Sequence, residues 1–333
     1  MTEQLSLDAA AALAVAALER AGTSPATAAR VAAALVAAEA AGQAGHGLAR
    51  VPSYAAQVRS GKVDGHAVPR AERVAGAAVR VDAAHGFAYP ALDLAADELA
   101  ALVPRTGVAL ATVHRSHHVG VAGQHVERLA ERGLVALLLA NTPAAMAPWG
   151  GRTALYGTDP VAFAAPRADA PPLVVDLSLS TVARGRVAVA AREGRPIEQG
   201  WALDADGRPT TDAAAAMDGG SMLPLGGAKG AALALVVEVL AAAVAGAAHG
   251  GEASSFFSGD GPPPAVGQVL LVVDPGPTSG GSYAQRIEVL LGAVLAQDGV
   301  RLPGSSRLQR EGRTSLEVAD DLLAELRDLA GEA

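Results

Sequence analysis

The sequence predicts an α/β fold of non-Rossmann type. Its sheet is mixed or mainly antiparallel, and helices from both chain ends form a separate layer. Two observations carry this. The apolar pattern is helical at the start, strand-rich from about residue 77 to 274, and helical again towards the end. No Gly-x-Gly-x-x-Gly follows a strand-like run, so the turn that seats a pyrophosphate in doubly wound parallel sheets is missing. Composition adds that the core is built from Ala, Val and Leu: half of the 333 residues are apolar but only 3% are aromatic, so the elements must pack closely.

Each element has its own signal. A first helix runs from about Leu7 to Arg20 and ends at Gly22. Ser24 as N-cap and Pro25 at the first helical position start a second, which runs through alanines to about Ala41 and stops at Gly42. A third covers roughly residues 53–59. The pattern then turns to period two, and 77–82 reads as a strand. Residues 90–103 are helical, 107–113 and 134–140 are apolar runs of strand length, and 121–132 is a helix with Glu127, Arg128, Glu131 and Arg132 on its wet side. Short strands follow at 161–165 and 173–176. Residues 183–213 read as charged hairpin-like pieces with turns at Glu193-Gly194 and Asp206-Gly207. Residues 229–244 make the longest apolar helix, and 249–266, rich in Gly, Ser and Pro, read as a mobile loop. A strand at 268–274, a helix at 283–297 and a charged amphipathic helix from Ser315 complete the chain.

Charge and composition exclude several functions. A net charge of −8 with no basic run argues against a nucleic-acid partner. With no cysteine there is no disulfide, thiolate nucleophile or zinc–cysteine site. The N-terminus lacks the basic and apolar regions of a signal peptide, and a cytoplasmic location is expected. The nearest thing to a membrane span, 230–248, carries Glu238 at its middle, which is costly in lipid, so it reads as a buried helix.

The most informative stretch is Gly45-His46-Gly47, followed by Arg50 and Tyr54. A histidine between two glycines can come close to a ligand, and its ordinary pKa suits proton transfer near neutrality. Arg50 offers a planar fork for a carboxylate. The plain alternative is an exposed loop histidine beside an unrelated arginine. His114, His117, His118 and His125 cluster where a strand opens into a helix, a favoured place for site residues. No Asp, Glu or Cys stands close enough in sequence to complete a metal site, so no metal is expected. Residues 147–151 and 156–160 are dense in Gly and Pro and form either a fixed binding loop or a connector. Asp176 closes an apolar run beside several hydroxyls, where it can orient a histidine, bind a ribose or simply cap a turn. Pro224–Gly230 feeds the long apolar helix; its N-terminus favours an anion, and Lys229 adds a charge for a phosphate.

In this order, Gly42-x-x-Gly45-His46-Gly47-x-x-Arg50-x-Pro52-x-Tyr54, Ser116-His117-His118-Val119-Gly120, Asn141-Thr142, Pro148-Trp149-Gly150-Gly151, Gly157-Thr158-Asp159-Pro160, Asp176, Gly207-x-Pro209-Thr210-Thr211-Asp212, Leu223-Pro224-Leu225-Gly226-Gly227-x-Lys229-Gly230 and Arg301-Leu302-Pro303-Gly304 resemble the malate/L-lactate dehydrogenase family. That family is unrelated to the Rossmann-fold enzymes and includes ureidoglycolate and sulfolactate dehydrogenases, diketogulonate reductase and piperideine/pyrroline-2-carboxylate reductases. The resemblance spans about residues 7–310.

It implies hydride transfer between NAD or NADP and a small 2-hydroxy or 2-oxo carboxylic acid. Reduction of a cyclic imine acid and a cofactor-binding homologue without turnover are the alternatives. By the same resemblance His46 is the proton donor or acceptor, Arg50 and Tyr54 serve the substrate, and His118 is the second active-site histidine. Asp176 or His118 fixes the imidazole's tautomer or the substrate's other end. Thr142, Asp176, Leu177, Ser178, Lys229 and the turn from Arg301 to Gly304 contact the cofactor. A strand-rich cofactor domain at 76–284 and a helical substrate and dimer domain from 1–75 and 285–333 are expected. The alanine-rich helices 25–41 and 229–248 are more apolar than one covered face requires, which fits a homodimer. The chain departs from the family pattern at Gly45 (usually Ser), Asp159 (usually Asn), Ser305 (usually acidic) and Glu39 (usually Asp).

Overall fold

The computed structural model describes residues 2–305 and 313–332. The chain opens with strand β1 (Thr2–Ser6) and helices α1 (Leu7–Arg20), α2 (Pro25–Ala40) and α3 (Val51–Arg59). The hairpin β2 (Arg70–Ala75) and β3 (Ala78–Asp82) leads to α4 (Ala88–Thr106), β4 (Val108–Ser116), α5 (Ala122–Ala130) and β5 (Val135–Ala140). Then come β6 (Val161–Ala165), β7 (Leu173–Leu177) and α6 (Arg184–Arg192). Two-residue strands β8 (Ala202–Leu203) and β9 (Pro209–Thr210) precede α7 (Ala213–Met217) and β10 (Ser221–Met222). Helix α8 (Ala228–Glu238) continues into a π-helical turn, Val239–Val244. Strand β11 (Val266–Val273), the short α9 (Pro275–Thr278), α10 (Tyr283–Leu295), β12 (Ser315–Ala319) and α11 (Asp320–Ala330) follow.

Seven strands form the main sheet in the order β2-β3-β4-β11-β5-β6-β7. Within it only β3 and β4 run parallel. That pair needs a crossover, which α4 supplies. Strand β11 enters the centre from late in the chain, and its run Val269-Leu270-Leu271-Val272 suits a strand covered on both faces. Leu92 and Leu99 of α4 and Val126 and Leu129 of α5 bury against Leu138 and Leu270 of the sheet. Each contributes about 1.5–3 kcal/mol by leaving water.

The helical layer is built from both ends, as the sequence predicts. Ser6 caps α1 by accepting from the Ala9 N–H at 3.1 Å. Leu18, Val31, Leu35 and Val51 close a core with Leu323 and Leu326 of α11.

Four expectations are corrected. Residues 315–319 are not helical but form β12, paired antiparallel with β1. Residues 183–213 are not hairpins throughout. The Val187/Val189 alternation imitates a strand, yet Val187 and Ala190 bury one face of α6; the Asp206-Gly207 turn does join β8 to β9. The helix expected to be buried at 230–248 covers only one side, since Leu235 and Val236 are half-exposed in the single chain. The loop at 249–266 is not free but fastened to α3 and the segment after it. Strand β2 went unseen because all six of its residues are exposed, leaving no apolar alternation to read. It belongs to the sheet. Among the described residues no helix is long and apolar enough to cross a membrane.

Candidate active site

The turn after α2 is shaped by Glu39. Its carboxylate accepts the Leu48 N–H at 2.9 Å, and a side chain at Gly47 would collide with it. Burial raises the Glu39 pKa, with the Leu48 bond opposing. This turn carries His46 on one short 3-10 segment, Ala44–His46, and Arg50 on the next, Leu48–Arg50.

His46 stacks on His118, with ring centroids 5.4 Å apart and planes 22° apart. Arg50 donates from Nε to the Gly45 carbonyl at 2.7 Å, while its buried Nη1 has no partner among the described residues. Tyr54 is fully buried on α3, and its hydroxyl lies 2.7 Å from His118 Nδ1 and 3.3 Å from the Tyr89 hydroxyl. Tyr54 therefore reaches the second histidine from inside the protein. His46, Arg50, Tyr54 and His118 form one cluster where the helical layer meets the end of β4.

Burial, then the Arg50 charge, lowers the His46 pKa to about 4. Burial, with Arg50, His46 and His117 around it, holds His118 well below the usual histidine range. Both imidazoles are thus neutral near pH 7 before substrate arrives.

The wall opposite is the loop after α8. Phe256 packs on His117 and His118, with centroids 5.1 Å away in each case. Phe257 covers the Arg50 guanidinium at 4.5 Å. Lys62, 1% exposed, donates to the carbonyls of Ser255 at 2.6 Å, Ser258 at 3.1 Å and Asp260 at 2.7 Å. An ammonium has three N–H groups, and here all three are used. Gln57 adds a bond from Nε2 to the Phe256 carbonyl at 2.8 Å, and its Oε1 pairs with His117 Nε2 at 2.7 Å.

A second cluster gathers around β7. The Asp176 carboxylate accepts the Gly123 N–H at 2.8 Å, tying β7 to the start of α5 just after His118. Leu179 N–H donates to the Thr158 carbonyl at 2.8 Å, and the Thr142 hydroxyl accepts the Thr158 N–H at 2.9 Å. The turn before α8 is stitched to the same strip by Leu225 N–H donating to the Leu179 carbonyl at 2.7 Å. Gly304 lies against the Val174 carbonyl, which brings the turn from Arg301 onto β7. The Ser178 hydroxyl sits 3.1 Å from that of Ser180. Thr142, Asp176, Leu177, Ser178, the Lys229 turn and Gly304 are thus brought together, beside the first cluster rather than inside it.

These residues fit a nicotinamide cofactor on one observation. Among the described residues no side chain caps helix α8, which leaves N–H groups of its first turn for a phosphate, and Lys229 in that turn is exposed. Behind them Glu238 accepts from Asn141 Nδ2 at 3.0 Å and from the Gly157 and Gly250 N–H groups at 3.3 and 3.2 Å. Asp159 is fully buried, and burial and the nearby Glu238 raise its pKa well above the usual range, with the backbone N–H groups of Thr142, Gly157 and Asp159 opposing.

Sequence reasoning missed Phe256, Phe257, Lys62 and Tyr89. Two adjacent phenylalanines in a Gly/Ser/Pro loop of a chain with few aromatics were one available signal. Another was lysine usage: in an arginine-rich chain Lys62 and Lys229 are the only lysines.

Two stacked imidazoles and a guanidinium with a free edge thus stand at the end of β4, a strand of a sheet that is not doubly wound. The chain belongs to the malate/L-lactate dehydrogenase family, whose model matches residues 5–327. It is 52% identical over 332 residues, 99% of each chain, to the (2R)-3-sulfolactate dehydrogenase (NADP(+)) of Chromohalobacter salexigens. It is 42% identical over 313 residues, 93% of this chain and 91% of the relative, to the Δ1-pyrroline-2-carboxylate/Δ1-piperideine-2-carboxylate reductase of Pseudomonas syringae pv. tomato. The crystal structure of Δ1-piperideine-2-carboxylate reductase from that organism superposes with a TM-score of 0.93 at 40% identity, covering 98% of this chain and all of that one. Sulfolactate dehydrogenase from Methanocaldococcus jannaschii superposes with a TM-score of 0.90 at 25% identity, covering 99% and 97%. The protein is an NAD(P)-dependent dehydrogenase or reductase acting on small carboxylates.

Proposed function

We propose that the protein is an NADP-dependent 2-hydroxy acid dehydrogenase of the sulfolactate type, interconverting (2R)-3-sulfolactate and its 2-oxo acid. The observation that carries the site assignment is Arg50: one face lies on Phe257, Nε is bonded to Gly45, and the buried Nη1 is left for a substrate carboxylate. The 52% identity to a sulfolactate enzyme supports the substrate and the choice of NADP.

The bound nicotinamide supplies or accepts the hydride. In the reducing direction His46 takes up a proton from solvent as the substrate carboxylate offsets the Arg50 charge; a C–H bond then forms at the 2-oxo carbon, the carbonyl π pair moves to oxygen, and the imidazolium gives that oxygen the proton and is left neutral. Arg50 holds the carboxylate and fixes which face the carbon presents. In the oxidising direction neutral His46 takes the hydroxyl proton. Thr142, Asp176, Leu177, Ser178, Lys229 and the turn from Arg301 to Gly304 hold the cofactor in this reading. The helical layer serves the substrate and the sheet the cofactor.

A second reading, reduction of a cyclic imine carboxylate, is favoured by Lys62. Its three N–H groups are taken up by loop carbonyls, so Arg50 alone satisfies a substrate with one carboxylate, whereas a sulfonate needs a further donor. We further propose a homodimer. Leu233, Leu235, Val236 and Val239 of α8 and its extension, and Val289 and Leu290 of α10, are exposed in the single chain, and a second copy would cover them. A cytoplasmic location accompanies the nicotinamide cofactor.

The test is kcat/KM with NADPH for 3-sulfopyruvate, pyruvate, Δ1-pyrroline-2-carboxylate and Δ1-piperideine-2-carboxylate. The proposal expects 3-sulfopyruvate to lead. Turnover confined to the imines overturns it in favour of the second reading.

A further inference from the structure

The hydroxyls of Tyr89 and Tyr54 and the Nδ1 of His118 form a buried chain with links of 3.3 and 2.7 Å. Tyr54 and Tyr89 are 0% and 1% exposed. The chain crosses the fold: Tyr54 stands on α3 in the helical layer, Tyr89 on α4 over the sheet, and His118 in the turn after β4. Its fit is tight. Gly120 has φ +71°, and a side chain there would collide with the Tyr89 hydroxyl.

Hydrogen-bond supply sets the direction of the chain. If Tyr89 donates to Tyr54 and Tyr54 donates to His118 Nδ1, both phenolic protons are used. If His118 Nδ1–H donates to Tyr54 and Tyr54 to Tyr89, the buried Tyr89 proton has no acceptor among the described residues. A buried donor left without an acceptor is costly, so the first direction wins. Burial raises the pKa of both tyrosines, so both keep their protons.

We infer that Tyr54, backed by Tyr89, is a positioning residue that fixes His118 in the Nε2–H tautomer, a hydrogen-bond donor to the substrate and not its proton source. Nε2 has no protein partner among the described residues, and it is the nitrogen left to meet a ligand. His46, stacked on the same ring, then carries proton transfer alone. Tyr54, 0% exposed, acts through His118. The catalytic half of the inference rests on the proposed function, and the tautomer half does not.

The test combines histidine-selective ¹⁵N NMR at pH 7 with kinetics, the His118 signals being identified by their loss in His118→Asn. In the wild-type protein Nδ1 should resonate as an unprotonated, hydrogen-bonded nitrogen and Nε2 as a protonated one. In Tyr54→Phe the Nδ1 signal should move downfield towards a free lone pair. Its kcat should fall about 10- to 100-fold, at or below the loss seen when a preorganised donor is removed, with cofactor affinity unchanged. Tyr89→Phe, which leaves Tyr54 able to donate, should keep the tautomer and lose less activity. Protonation on Nδ1 in the wild type, or an unmoved Nδ1 signal with native kcat in Tyr54→Phe, overturns the inference. The NMR arm needs no substrate, so an inactive substrate panel with the tautomer in place tells against the proposed function alone.

Discussion

Arg50 lies beneath the ring of Phe257, its guanidinium carbon 4.5 Å from the ring centroid, while its Nε is held by the Gly45 carbonyl. The two contacts restrict the fork to one orientation. Phe257→Leu removes the stacking face but leaves the guanidinium. It should raise substrate KM about 2- to 5-fold, the worth of an exposed cation–π contact, with kcat nearly unchanged. Arg50→Lys should raise KM further, because an ammonium cannot make the two-point grip. Steady-state kinetics of the two variants check the order; a kcat loss at constant KM contradicts it.

Lys62 fastens the segment that carries both phenylalanines. Lys62→Met keeps the apolar stem but leaves three loop carbonyls without their donor. Unfolding should become easier by about 2–3 kcal/mol, and the 255–260 backbone should gain hydrogen exchange and protease sensitivity. KM should rise because Phe257 leaves Arg50. Native exchange rates at 255–260 would show that the loop holds itself.

Asp159 stands where the family usually has asparagine, and its carboxyl is buried beside Glu238. Its pKa is raised in the folded chain, so the native protein keeps a proton that the unfolded chain loses above about pH 4. By linkage, stability falls as pH rises through that value and keeps falling until the folded pKa is passed. Asparagine does not titrate. Asp159→Asn should match the wild type near pH 3 and gain a growing advantage in Tm between pH 4 and 7. Thermal melts across that range measure the gap; a constant gap contradicts the assignment.

Lys229 is exposed in the first turn of α8, beside the strip that holds Thr142 and Ser178. Lys229→Ala should weaken NADPH binding by about 1–3 kcal/mol if a charge-assisted hydrogen bond is lost. Fluorescence titration gives the dissociation constant directly. Unchanged affinity makes the glycine-rich turn a connector only.

Legibility in the sequence followed locality. His46, Arg50 and Tyr54 sit within one turn and its following helix, so the stretch stood out in the sequence, while the roles expected of them came from the family resemblance. The helical layer was visible because α2 opens on Ser24-Pro25 and both α1 and α2 stop short of a glycine, Gly22 and Gly42. What stayed hidden depends on distant partners. β1 and β12 lie at opposite ends of the chain, and β2 is an exposed edge strand without an apolar face. Phe257 reaches Arg50 across some two hundred residues, held there by a lysine that local pattern reads as an ordinary surface charge. Asp176 was placed correctly at a strand end, but its bond to the Gly123 N–H links the two clusters through backbone geometry that no motif records.

The central claim is that His46 moves the proton while His118 only donates a hydrogen bond. It is tested most directly by parallel pH–rate profiles of the wild type, His46→Asn and His118→Asn. In the oxidising direction, wild-type kcat/KM should hold through neutrality and fall as pH drops through about 4, where burial and Arg50 place the free-enzyme His46. In kcat the limb should move upward, because the bound carboxylate offsets the Arg50 charge. His46→Asn should lose the limb and about 10²–10⁴ in kcat, the usual share of general acid–base catalysis. His118→Asn should keep the limb. If His46→Asn retains near-native kcat with its acid limb intact while His118→Asn loses both, the two roles are reversed.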